Sequence, residues 1–130
     1  MAKYFSEDEF RCKGDECGCH NSLPEDGIHP LLFILLDVVR EKVGQPVSIL
    51  SGYRCETHNA NVGGAPNSYR CQGVAADLYT TNIDVEAFAQ LVEQSLVELG
   101  IEGGVGRYPS QSFVHADVRG YTARWDESNP

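Results

Sequence analysis

Apolar residues fall at helical spacing in two long stretches of the chain. Over residues 30–43, Leu31, Leu32, Ile34, Leu35, Val38, Val39 and Val43 recur with the period of an α-helix. Pro30 suits its first turn, and Gly44 suits the position after its last. So broad an apolar surface predicts a central core helix. A second helix is predicted from Asp84, as its cap, to Gly100, with Phe88, Leu91, Val92, Leu96 and Leu99 as its stripe. Two shorter turns are expected. Ser6 and Glu9 have capping-box spacing, with Phe5 and Phe10 placed as a hydrophobic staple. Residues 56–61 form the other.

Shorter apolar runs predict strands at 46–50, 74–79, 103–107 and 112–118. In the last run, the two-residue period puts Phe113, His115 and Asp117 on one face. Val114, Ala116 and Val118 lie on the other. The wholly apolar face should pack on helices, leaving His115 and Asp117 towards an open side.

Composition narrows this picture. At 130 residues the chain is read as a single domain, 1–130, long enough for a sizeable core. Its 42% hydrophobic content, 13 Gly and six Pro suit a compact fold with many turns. A net charge of −9 argues against a nucleic-acid footprint and against anionic membrane surfaces. No apolar run approaches the roughly 18 residues that span a bilayer. The opening MAKYFSEDEF has no apolar signal core, so synthesis in the cytoplasm is expected.

Five cysteines are many for this length. Cys12, Cys17, Cys19 and Cys55 could form two disulfides and leave Cys71 over, or they could hold a metal. The run Cys12, Cys17, Cys19, His20 has no regular zinc-finger spacing. Both readings stay open.

The richest chemistry lies at residues 51–78. Arg54 follows a predicted strand, a loop rich in Gly, Asn and Pro comes next, and Asp77 sits inside a second strand. A cation and a carboxylate on strands joined by a long loop can make a pocket. The plain alternative is a surface loop with an exposed Asp.

Several residues in this stretch fit one pattern. Ser68, Gly73, Ala75 and Asp77 fall on S-x-H-x-x-G-x-A-x-D, preceded by SGYR at 51–54, HNA at 58–60 and GGAPNS at 63–68. FVHADVRG follows at 113–120. On these residues, over roughly positions 4–125, the chain resembles the M15 zinc peptidases, specifically the small D-Ala-D-Ala carboxypeptidase-like branch that cleaves cell-wall peptides. The resemblance implies an α+β fold of the hedgehog/DD-peptidase kind, an antiparallel sheet flanked by helices. It implies a Zn2+ cofactor with Asp77 and His115 as ligands. It also implies that Arg54 and Ser68 bind the substrate's terminal carboxylate. Asp117 would act as base or orient His115.

A catalytic zinc takes three protein ligands and leaves one position for water. The pattern's His position holds Arg70 here. Arginine keeps its proton and cannot ligate zinc. Cys71, next door, could replace the missing ligand after a one-residue loop shift, and His58 is a further donor. Three readings follow. The first is a zinc peptidase using Asp77, His115 and Cys71 on peptidoglycan stem peptides, reaching the wall by phage lysis as an endolysin does. The second is a metal-free relative with an Arg70–Asp77 ion pair that binds cell-wall peptide without cutting it. The third is a structural module, as in a phage particle. The expected partner is a peptidoglycan peptide, with no nucleic acid or membrane, and the expected state is a monomer.

Overall fold

The computed structural model describes residues 3–14, 18, 19, 21–62 and 69–127, with Arg70 described in its backbone alone. Three α-helices are present among them: α1 (Pro30–Val43), α2 (Glu56–Asn61) and α3 (Val85–Leu99). Five strands form one sheet: β1 (Ser48–Ser51), β2 (Ala75–Tyr79), β3 (Gly104–Tyr108), β4 (Phe113–Asp117) and β5 (Ala123–Asp126). The sheet order is β1-β2-β4-β3-β5. All neighbours are antiparallel except β5, which runs parallel to β3. The fold is therefore α+β, as expected, with a mixed edge.

The long helices begin and end where their caps dictate. Asp84 accepts from the Ala87 N–H at 2.7 Å, and the His29 ring accepts from the Leu31 N–H at 3.1 Å. Gly44 and Gly100 close the helices in the left-handed conformation. Leu32, Leu35, Leu36 and Val39 of α1 are buried, whereas Leu31 and Ile34 are exposed. The apolar surface expected from the sequence is wider than the stripe one helix can turn to a core.

Alternation along the strands sets two faces. Ala76 and Leu78 of β2, Val105 of β3, and Val114 and Ala116 of β4 enter the core with α1 and α3. Asp77, His115 and Asp117 take the opposite face by the two-residue period. The expected opening turn is present as a 3-10 helix at Glu7–Phe10. Ser6 N–H donates to the Glu9 carboxylate at 2.8 Å, and the Phe10 ring stands edge-on to Phe33 of α1. β5 is an element the apolar pattern does not announce. Its four residues, ARWD, carry too little apolar alternation to signal a strand.

Candidate active site

β2 and β4 are paired so that Asp77 lies directly opposite His115. Both side chains are almost fully buried. His115 Nδ1 stands 3.3 Å from Asp77 Oδ1. It is a buried atom that makes no hydrogen bond. The other ring nitrogen, Nε2, is 2.6 Å from Asp117 Oδ2.

Asp117 has no exposed surface. Its Oδ1 accepts from the Gly104 N–H at 2.8 Å and from the Arg119 N–H at 3.1 Å. The Arg119 guanidinium donates from Nη2 to Oδ2 at 2.7 Å and from Nε at 3.0 Å to Oδ1. Burial pushes this carboxyl upward, but the hydrogen bonds from His115 and Arg119 outweigh it and hold it well below the usual carboxylate range. An ionised Asp117 can only accept, so His115 Nε2 carries the proton. Nδ1 is then the ring nitrogen turned towards the Asp77 carboxylate.

Arg119 is itself enclosed by rings. Its guanidinium lies 4.5 Å from the Tyr69 ring centre and 5.0 Å from that of Trp125. Trp125 also tilts against His115, with ring centres 5.0 Å apart. Two glycines of β3 make this possible. A Cβ on Gly106 would come within 2.5 Å of the Trp125 indole, and one on Gly104 within 2.5 Å of Asp117 Oδ2.

The other predicted site residues are placed as follows. Arg54 is half-buried and donates to Asn59 Oδ1 of α2 at 3.2 Å. Cys71 lies in a 3-10 turn, Tyr69–Gln72. It does not gather with Asp77 and His115 into a three-ligand cluster among the described residues. Cys71 instead shares the electrostatic surroundings of Tyr53 with Cys12, Cys19 and Cys55. His58 donates its backbone N–H to Cys55 Sγ. Ser68, Cys17, His20 and the 63–67 loop lie outside the described residues, as does the Arg70 side chain and with it the expected Arg70–Asp77 pair.

The sequence offers Asp117 as base or orienter. A carboxylate so fully bonded and so acidic is a poor proton acceptor near neutrality, and its geometry suits orientation of His115. Arg119, Trp125 and the two glycines escape the sequence reading. Arg119 continues the alternation of His115 and Asp117, which is the signal that could reveal it.

The family model of Peptidase M15 matches residues 3–117. The chain belongs to the Peptidase M15 family. No curated protein sequence matches it. Within this M15 chain the matched region includes Asp77, His115 and Asp117, while Arg119, Tyr121 and Trp125 lie beyond it.

M15 peptidases are typically zinc enzymes, so the fit of the residues to zinc matters. Zinc ligated by nitrogen and oxygen at about 2.0–2.1 Å, in tetrahedral geometry, separates neighbouring donor atoms by about 3.3 Å. His115 Nδ1 and Asp77 Oδ1 stand at that separation. The orphaned Nδ1 and the carboxylate behind Nε2 form the carboxylate–histidine arrangement that supports a metal ligand. Two donors fit. Arg70 at the pattern's remaining ligand position does not.

Proposed function

We propose that this chain is a zinc-dependent peptidase-like protein acting on peptidoglycan stem peptides near a D-amino acid, of the D-Ala-D-Ala carboxypeptidase or endopeptidase type. The observation that supports it most is the unbonded Nδ1 of His115 facing Asp77 across two paired strands. Asp77 and His115 would hold the metal; Cys71, the third donor expected from the sequence, shares the surroundings of Tyr53 with the other cysteines and would reach them only by a shift of its turn. Zinc, when bound, supplies an electrophile for the scissile carbonyl and makes hydroxide available at neutral pH. Asp117 holds the His115 ring by its Nε2 proton, and Arg119 with Gly104 holds Asp117. Arg54, steadied by Asn59, grips the terminal carboxylate of the peptide with its two-pronged donor set, and the family pattern assigns Ser68 to the same task.

A second reading has specific support. Arg70 stands where a ligand is expected, and the carboxylate nearest His115 on its own strand is fully engaged by Arg119. Both favour a relative that binds cell-wall peptide without cutting it. One experiment separates the readings. Zinc per chain is measured in wild type and in His115→Ala, and both are incubated with purified muropeptides. Zinc lost in the variant, with wild-type release of a D-amino acid or a cleaved stem, supports the peptidase. Muropeptide binding with no His115-dependent zinc and no product supports the second reading. Neither binding nor cleavage sinks both.

A further inference from the structure

Away from Asp77 and His115, three sulfurs come together. Cys12, Cys19 and Cys55 offer Sγ atoms that all lie within 4.8 Å of one another. The fold brings them there by definite contacts. Tyr53 N–H donates to the Phe10 carbonyl at 2.8 Å, and Cys12 N–H donates to the Ser22 carbonyl at 2.9 Å. Gly52 admits this approach, because a Cβ there would come within 2.7 Å of Phe10 Cα. The segment from Phe10 to Cys12 thus lies beside that from Tyr53 to Cys55.

We infer that Cys12, Cys19 and Cys55 hold a divalent, thiophilic cation of the zinc class at a structural site. Cys12 Sγ and Cys55 Sγ are 3.8 Å apart. Tetrahedral zinc with sulfur at about 2.3 Å separates neighbouring sulfurs by about 3.8 Å, whereas a disulfide holds them at about 2.05 Å. Backbone N–H groups already point at the sulfurs: His58 N–H donates to Cys55 Sγ at 3.3 Å, and Cys55 and Gly14 donate to Cys12. Such donors stabilise thiolates rather than thiols and fix their direction. A fourth position remains for water or another side chain. The site ties the N-terminal segment to Cys55, the residue after Arg54, and is independent of the peptidase reading.

The test uses the full chain, reduced and stripped with a chelator, then titrated with Co2+ alone. A near-ultraviolet thiolate-to-cobalt charge-transfer band should appear and be lost on adding Zn2+. It should persist in His115→Ala and be lost in Cys19→Ser. Because a cysteine variant can fail to fold, a second readout uses wild type only. Zn2+ should protect Cys12, Cys19 and Cys55 from alkylation, and chelator should remove the protection. Absence of the band, its survival in Cys19→Ser, or equal alkylation with and without Zn2+ would overturn the site.

Discussion

Asp77 Oδ1 and His115 Nδ1 face each other at 3.3 Å without a hydrogen bond, on directly paired positions of β2 and β4. With Nε2 donating to Asp117, Nδ1 is the nitrogen left facing a carboxylate. The contact becomes favourable with a cation between the two atoms. Asp77→Asn should therefore weaken metal binding at this pair and spare the cysteine site. With zinc present it should remove the share of the metal-dependent rise in Tm due to this pair, equivalent to about 2.7 kcal/mol at a hundredfold excess over Kd, and leave the share due to the cysteine site. Thermal unfolding with and without zinc reads both. An unchanged zinc response in Asp77→Asn would remove Asp77 from the ligand set.

The Asp117 carboxyl sets the acid limit of the fold. Its folded pKa lies below its unfolded one, despite burial, because His115 and Arg119 donate to the charged form. The native state then binds fewer protons than the unfolded state once pH falls to about 4. Its contribution is fully present above that pH and is lost progressively as pH falls towards the folded pKa. Urea midpoints at pH 7, 5 and 3 should show a steep loss between the last two. Asp117→Asn should flatten that loss. It should also cost about 3–5 kcal/mol at pH 7, since the Arg119 guanidinium is left enclosed without its counter-ion. An equally steep acid loss in the variant would assign the effect to another carboxylate.

Much of this arrangement is legible in the sequence because it rests on local periodicity. The alternation in FVHAD places His115 and Asp117 on one face whatever the rest of the chain does. The caps at Asp84, Gly44 and Gly100 likewise act within one turn. What cannot be read depends on contacts made across sequence. β5 is a strand because β3 offers it a parallel edge, and Arg107 and Arg124 from those strands share Glu93 of α3. The partner of Asp117 is a cation enclosed by Tyr121 and Trp125, a few residues on, and by Tyr69 from a distant turn. The proximity of Cys12 and Cys55 depends on Gly52 meeting Phe10, which no spacing rule announces.

Gly106 tests whether the Trp125 wall matters. The indole occupies the space a side chain at 106 would need, its nearest ring atoms 2.5 Å from where a Cβ would stand. Gly106→Ala should displace Trp125 from His115 and cost about 1–3 kcal/mol through overpacking. Trp125 is the single tryptophan of the chain, so its fluorescence reports the movement directly. A red-shifted emission with weakened zinc binding is expected. Unaltered emission would show that the ring is not held as described.

Arg54 gives the most direct test of the proposed substrate. If its guanidinium grips a peptide's terminal carboxylate, Arg54→Ala should lose about 1.5–3 kcal/mol of binding to a stem peptide ending in D-Ala-D-Ala, roughly ten- to a hundredfold in Kd. Arg54→Lys should recover little, because an ammonium cannot make the two-pronged contact. Asn59→Ala should lose less, about 0.5–1.5 kcal/mol, since Asn59 steadies the guanidinium, at 3.2 Å, rather than meeting the peptide. The same peptide with an amidated C-terminus should bind wild type about as weakly as the free acid binds Arg54→Ala. Calorimetry with these two peptides and three variants reads the whole series. If amidation leaves wild-type affinity intact while Arg54→Ala weakens both peptides equally, Arg54 supports the loop and does not recognise the carboxylate.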